Sequence, residues 1–113
     1  MSLSGRKWAW SVKELWDLGE RRRLLPGEKL ILLFLGDMEN VREGWAYPSR
    51  ETIAEETMQT VRSVSTHIKT LELADLITVG KRRSSSGKWY RNVYILAVPD
   101  ELRDADDAWL EHH

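Results

Sequence analysis

The sequence predicts one small α+β domain, mostly helical, in which three or four helices precede a two-stranded β-ribbon. Three observations support this prediction. The chain has 113 residues, of which 42% are hydrophobic, which is enough for one core. Apolar residues recur at three- and four-residue steps in residues 60–73, as in a helix with one buried face. After residue 75 the apolar period changes to two, which is typical of strands.

The first helix is predicted over residues 8–18, where apolar side chains fall at helical spacing. Ser11 and the glutamate three residues later fit a capping box, so the regular helix could begin only after Ser11. Gly19 is expected to end this helix, and residues 20–23 are expected to form a charged connector. The apolar residues at helical spacing are Trp8, Val12, Leu15 and Trp16.

The second helix begins at Pro26, because a proline suits the first turn of a helix, and it should reach about Met38. Residues 30–35 are apolar all round, so this helix should lie in the middle of the domain. This run is also the longest apolar stretch of the chain, and a transmembrane helix needs roughly 20 apolar residues. No membrane span is therefore expected.

Two further helices with a short turn between them are predicted after a loop over residues 40–47. Ser49 should cap a third helix that ends near Glu56. A tight turn over residues 57–59 then leads to a fourth helix, which Thr60 caps and which reaches about residue 73.

A β-hairpin is predicted next, with strands over residues 76–82 and 89–96. The serine- and glycine-rich residues 83–88 between the strands should form its tip. Pro99 ends the second strand, and Asp100 is expected to cap a short acidic helix that contains Leu102 and Trp109.

Two helices joined by a three-residue turn and followed directly by a ribbon match the winged helix-turn-helix plan. We therefore divide the chain into a Trp-rich N-terminal helix with a basic connector (residues 1–23) and a winged helix-turn-helix domain (residues 24–96). An acidic C-terminal tail (residues 97–109) follows. Residues 110–113, which end in two histidines, are interpreted as the start of a polyhistidine tag.

The charge of the chain is segregated, although its formal net charge is only −1. Residues 60–96 carry seven basic and two acidic residues, whereas residues 97–111 carry one basic and six acidic residues. This asymmetry indicates a nucleic-acid-binding region in an otherwise near-neutral chain. The absence of cysteine excludes disulfides and cysteine-ligated metal sites, and together with the lack of a signal segment it predicts a cytoplasmic protein.

The segment from Tyr47 to Thr57, which reads Tyr-Pro-Ser-Arg-Glu-Thr-Ile-Ala-Glu-Glu-Thr, resembles a known family. It is similar to winged helix-turn-helix domains of plasmid and phage replication initiators and mobile-element regulators. The resemblance covers roughly residues 24–96 and implies binding to double-stranded DNA. Family members usually have glycine after the threonine of the turn, where this chain has Met58. If that position needs a positive φ, Met58 is strained. The other matching segments are residues 25–30, 61–64, 67–72, 76–77 and 92–94.

The fourth helix is the expected recognition helix, since the face opposite its apolar stripe is polar, basic and free of acids. Arg62 is predicted to contact guanine, and Ser63 and Thr66 to reach base edges. Gln59 could read adenine, and Thr60 with the helix N-terminus could hold a phosphate. The simpler alternative is a solvated face. The predicted polar face comprises Arg62, Ser63, Thr66, Lys69 and Thr70, and His67 lies on its flank as a packing or phosphate-contacting residue rather than a metal ligand.

The hairpin tip is the second expected DNA contact, because basic residues surround it without an intervening acid. The alternative is that these charges protect an edge strand from aggregation. Residues 21–23 are a weaker candidate for DNA contact. The predicted wing contacts are Lys81, Arg82, Arg83, Lys88 and Arg91.

The sequence predicts neither catalysis nor a cofactor, metal or small-molecule ligand. The Gly80–Lys88 spacing does not fit a phosphate-binding loop, and no nucleophile with a matching base is present. The aspartates at 104, 106 and 107 are interpreted as solvated.

Three functions stay open. The first is a sequence-specific regulator or accessory factor of a plasmid, phage or integrative element, working as a homodimer through its N-terminal tryptophans; these could equally complete the monomer core. The second is the origin-binding domain of a replication initiator. The third is a protein-interaction module on a winged-helix scaffold.

Overall fold

The computed structural model describes residues 2–83 and 86–113; Ser84 and Ser85 of the predicted hairpin tip lie outside the described residues. No helix within the described ranges is both long and apolar enough to cross a membrane. The elements in chain order are α1 (Leu3–Ser11), β1 (Glu14–Asp17), β2 (Glu20–Arg23), α2 (Pro26–Met38), α3 (Arg50–Glu56), α4 (Val61–Leu73), β3 (Ile77–Arg83), β4 (Tyr90–Leu96), α5 (Asp100–Asp104) and α6 (Asp107–Leu110).

The N-terminal helix predicted over residues 8–18 is wrong in its placement. Ser11 is the last helical residue rather than a cap at the start, and its hydroxyl donates a hydrogen bond of 2.7 Å to the Trp8 carbonyl oxygen. Leu18 and Gly19 both have positive φ, of 52° and 81°. Positive φ at two central residues is the turn geometry that joins a tight antiparallel hairpin. Turn chemistry therefore overrides the helical spacing.

The predicted basic connector, residues 20–23, is strand β2, which pairs antiparallel with β1. Opposite charges face each other across this hairpin. Arg21 contacts Glu14 with an N–O distance of 2.8 Å, and Arg22 contacts Asp17 at 3.0 Å. These two diagonal ion pairs between the acids of β1 and the arginines of β2 thus contribute to the strand pairing, which the sequence pattern did not reveal.

Helix α2 confirms the predicted central helix, from Pro26 to Met38. Its Ile31, Leu32 and Leu35 side chains are fully buried in the core. Helix α1 packs across it at Gly36, where a Cβ atom would lie only 3.0 Å from the carbonyl oxygen of Gly5. Glycine at this point allows the two helix backbones to approach closely.

The predicted helix, turn and helix are confirmed as α3, a short turn and α4. The Ser49 hydroxyl accepts a hydrogen bond from the Thr52 N–H at 3.1 Å, and the Thr60 hydroxyl accepts one from the Ser63 N–H at 3.0 Å. Both are N-caps of the predicted kind. Met58 in the turn has a φ of 58°, so it does occupy the conformation for which the related domains use glycine.

The predicted hairpin is confirmed as β3 and β4, paired antiparallel. A third segment joins it, because Ala46 and Tyr94 exchange two backbone hydrogen bonds of 3.0 and 2.8 Å. Part of the predicted loop over residues 40–47 is therefore attached to β4 as an additional edge. This arrangement of helices and ribbon is a winged helix.

The C-terminal tail differs from prediction in three ways. Asp100 does not cap the first helix, because Pro99 is the N-cap residue and Asp100 is the first helical residue. The single expected helix of the tail is broken into α5 and α6, and Asp106 between them caps α6 by accepting from the Trp109 N–H. Asp106 is buried rather than solvated, since it accepts hydrogen bonds from the Ser4 N–H (2.9 Å) and hydroxyl (2.6 Å). Burial by itself would raise the pKa of Asp106, but these hydrogen bonds hold it below its usual value.

Candidate nucleic-acid interface

The outer face of α4 presents the residues expected of a recognition helix. Arg62, Thr66 and Lys69 are exposed, and neither Arg62 nor Lys69 forms an ion pair with any residue in the described ranges. Ser63 and Thr70 beside them are partly buried. The opposite stripe of α4 comprises Val64, Ile68 and Leu71, which are at most 1% exposed. The core therefore orients the polar face outward.

One acid borders this face. Glu72 is exposed and lines a shallow cleft with Thr66 and Lys69. The acid-free stretch therefore covers the N-terminal two-thirds of α4, around Arg62.

Gln59 is placed differently from the prediction that it reads adenine. Its side-chain amide donates hydrogen bonds to the Gly27 carbonyl oxygen at 3.2 Å and to the Thr57 hydroxyl at 3.0 Å. These bonds link the turn to the start of α2. Contact with a base would require both to break, so we assign Gln59 to the fold. Thr60 is exposed, and its hydroxyl caps α4 while also contacting the Ser63 hydroxyl.

His67 faces the protein rather than solvent, with a side chain only 18% exposed. Its Nδ1 lies 3.9 Å from the Glu28 carboxylate, and its ring packs against Gly27, where a Cβ atom would come within 2.8 Å of Nε2. The packing alternative for His67 therefore fits the structure better than a phosphate contact.

Glu28 is a buried carboxylate that joins three elements. Arg22 donates two hydrogen bonds to it, at 2.9 and 2.8 Å, and the Leu25 N–H donates a third at 2.8 Å. Burial would raise the pKa of Glu28, but the bonds from Arg22 and Leu25 lower it. The hydrogen bonds that Arg22 donates to Glu28 and to Asp17 raise the pKa of Arg22. With His67 beside it, Glu28 ties β2 and α2 to the inner side of α4.

The predicted wing contacts leave the ribbon on two faces. Strand alternation and the β3–β4 register direct Lys81 and Arg83 to one face and Arg82 with Arg91 to the other. These long side chains still share clefts, because Arg91 lines one with Lys81, and Arg83 lines another with Arg82. Lys81 lines a cleft with the first turn of α3. Arg82 instead lies over the Trp45 ring, 4.8 Å from its centroid.

Two wing arginines are also held by aromatic rings. Arg83 lies 5.4 Å from the Tyr90 centroid and donates a hydrogen bond of 2.9 Å to the Tyr90 hydroxyl. Arg91 lies 4.8 Å from the Tyr47 centroid and 5.2 Å from that of Trp89. Lys88 is exposed at the end of the ribbon.

Arg50 was missed by the sequence analysis. It begins α3, and its Nη1 donates a hydrogen bond of 2.8 Å to the Ser65 hydroxyl on α4. Its Nε is buried without a hydrogen-bond partner among the described residues. Arg50 lines both the cleft toward the wing and the cleft along α4. Its position inside the Tyr47–Thr57 motif was the available signal, but spacing could not show that it connects the two surfaces.

Comparison with known proteins supports part of this picture. Residues 22–77 match a family model described as a helix-turn-helix domain. No curated protein matches the sequence of the chain significantly. A solved structure described as a possible transcriptional regulator from Methanosarcina mazei Go1 is similar with a TM-score of 0.49 and 12% sequence identity, over 89% of this chain and 88% of that one. A similarity this distant has no bearing on function. Residues 22–77 are thus similar to a helix-turn-helix domain, and together with β3 and β4 they form a winged helix.

Proposed function

We propose that this protein binds double-stranded DNA sequence-specifically and acts as a transcriptional regulator or accessory factor of a plasmid, phage or integrative element. The helix-turn-helix match supports DNA binding. The single observation that carries the proposal is Arg62, which is exposed on the outer face of α4, the second helix of the motif, and forms no ion pair with the part of the chain that the structure describes.

In the proposed mode, α4 lies in the major groove. Arg62 donates two hydrogen bonds to O6 and N7 of a guanine, and Ser63 and Thr66 contact neighbouring base edges. Lys69, Lys81 and Arg83 contact phosphates, which positions the helix without reading sequence. No reaction is proposed, because the interface offers DNA-contacting groups rather than a nucleophile paired with a base.

The test uses fluorescence anisotropy with a duplex selected from random sequence by the protein itself. We expect Arg62→Ala to weaken binding to this duplex by about 1–3 kcal/mol and to relax specificity at one base pair. Arg83→Ala should weaken binding to selected and random duplexes equally, because a phosphate contact carries no sequence information.

The matched control is Lys7→Ala, which removes an exposed cation from α1, outside the proposed interface. It should bind like the parent. If Arg62→Ala and Lys7→Ala bind the selected duplex with equal affinity, α4 is not the reading helix and the proposal fails.

A homodimer belongs to the same proposal. Trp8 is buried in the core, so it needs no partner, but Trp10 and Trp16 are 62% and 61% exposed. Rings this exposed favour a second copy that covers them. Light scattering at high concentration tests this, and a monomer mass with and without DNA would exclude the dimer.

Sequencing of genomic fragments that the protein captures would separate promoter binding from binding to a replication origin.

A further inference from the structure

A cleft of about 790 Å³ lies between the first turn of α3 and the wing. Three aromatic and three cationic side chains line it, and Glu51 is the one carboxylate among its described lining residues. Such a lining suits a ligand that combines flat rings with negative charge. The side chains that matter are Tyr47, Trp89, Tyr90, Arg50, Lys81 and Arg91.

The aromatic rings of this cleft are exposed and yet held in place. Trp89 is 51% exposed, Tyr90 60% and Tyr47 38%. The Arg91 guanidinium lies 5.2 Å from the Trp89 centroid and 4.8 Å from that of Tyr47, and Arg83 contacts Tyr90. Rings ordered in this way lose little entropy when a further flat group stacks on them.

The cleft continues into its neighbours at both ends. Through Arg50 it joins the cleft along α4, where Thr66 and Lys69 lie. Through Tyr47 and Arg91 it joins a smaller cleft of about 190 Å³ beside the wing, which the Arg82 and Arg83 side chains also line. A path of this shape accommodates an extended polymer better than a compact small molecule.

We propose that this path binds single-stranded nucleic acid. Arg50, Lys81 and Arg91 contact successive phosphates, and unpaired bases stack on Trp89 and Tyr90. A duplex does not fit this chemistry, since its base faces are covered by neighbouring base pairs. The inference goes beyond duplex reading by α4 and concerns the wing side of the molecule, so the two can fail separately.

The experiment measures binding of fluorescein-labelled oligo(dT) of ten nucleotides by anisotropy at low salt. Removing one stacking ring by Trp89→Ala should weaken binding about 5- to 150-fold, whereas Trp89→Phe should retain most of it. The control is Met38→Ala, which removes an apolar side chain of similar exposure at the end of α2, outside both the proposed path and the proposed dimer surface, and it should bind like the parent. Tyr90→Ala is the second variant, in case Trp89→Ala unfolds in a circular-dichroism melt.

Each outcome of this experiment either supports or overturns the proposed strand binding. Loss of oligo(dT) binding in Trp89→Ala or Tyr90→Ala, with binding to the selected duplex within twofold of the parent, supports the proposal. Equal oligo(dT) binding by these variants and the parent would mean that charge alone holds the strand, which overturns it. Duplex binding without any oligo(dT) binding overturns this inference and leaves the proposed function intact. A further outcome is that thymidine monophosphate competes for binding as strongly as the oligomer does. The site would then bind a free nucleotide rather than a strand, and this too overturns the proposal.

Discussion

Met58 shows how one backbone angle constrains the reading surface. It is 91% exposed and adopts a φ of 58°, in the left-handed region. An L-residue there costs roughly 1–2 kcal/mol relative to the right-handed conformation. The turn tolerates this cost because the bonds of Gln59 to Gly27 and Thr57 and the caps on both helices determine the path of the chain.

Met58→Gly is expected to raise the free energy of unfolding by up to about 1 kcal/mol. Relief of the left-handed strain exceeds the extra entropy that glycine gives the unfolded chain, which is roughly 0.4–1 kcal/mol. Urea unfolding followed by circular dichroism measures the change. The control is Glu55→Gly, three residues earlier in α3, where φ is helical and glycine should cost about 1 kcal/mol. If Met58→Gly and Glu55→Gly lower the free energy of unfolding by the same amount, Met58 is unstrained.

At the scale of elements, the close crossing of α1 and α2 decides how the N-terminal part packs. Gly36 faces the Gly5 backbone, and the buried Glu39 carboxylate at the end of α2 accepts two hydrogen bonds from Arg103, at 2.9 and 2.8 Å. The Arg103 guanidinium also lies 3.4 Å from the Trp109 centroid. Helices α1, α2, α5 and α6 thus form one packed unit behind the helix-turn-helix.

Gly36→Ala should destabilise the protein by about 1–2 kcal/mol, although alanine favours helices. The added methyl would meet a backbone oxygen at 3.0 Å, and backbone cannot move aside as a flexible side chain can. Thermal unfolding measures the effect.

The control for the added methyl is Gly80→Ala on β3, away from the helix crossing. Its Cβ would meet the nearest Val93 side-chain atom at 3.4 Å, an ordinary contact, so this variant should be neutral or slightly more stable. A stable Gly36→Ala variant would mean that the two helices have room to separate.

At the scale of the whole molecule, buried ionised groups connect segments that are distant in sequence. Glu28 joins β2 to α2 beside α4, and Asp106 joins the tail to α1. Both carboxylates have a pKa below the ordinary value, which is 4.5 for Glu28 and 3.8 for Asp106. The unfolded chain therefore takes up protons at a higher pH than the folded one.

The stability that these groups provide should be fully present above about pH 5 and fall as the pH drops through 4.5 and below. Melting temperatures measured from pH 7 to pH 3 test this. Asp106→Asn should be less stable than the parent at pH 7 and should lose less stability between pH 5 and pH 3. The exposed Asp107→Asn, one residue later, should follow the parent curve. An acid response of Asp106→Asn identical to that of the parent would contradict the assignment.

Local signals in the sequence were sufficient to predict the helix-turn-helix and the wing. Pro26, Ser49 and Thr60 mark where α2, α3 and α4 begin, because proline geometry and N-caps act within one turn of chain. The change to a period of two at Leu76 marks the wing for the same reason. The exposed position of Arg62 also followed from periodicity alone, since a buried stripe determines the direction of the opposite face.

Features that depend on a contact with a residue distant in sequence could be seen only in the tertiary structure. The apolar residues between Ser11 and Gly19 fit a helix and a hairpin alike, and the turn at Leu18 together with pairing to β2 selected the hairpin. Gln59 and Asp106 look like solvent-facing polar residues in sequence, yet Gly27 and Ser4 bind them inside the protein. The sequence by itself determined the elements with local start signals, whereas only the folded chain decided which polar groups remain available to DNA, because that depends on hydrogen bonds across distant segments.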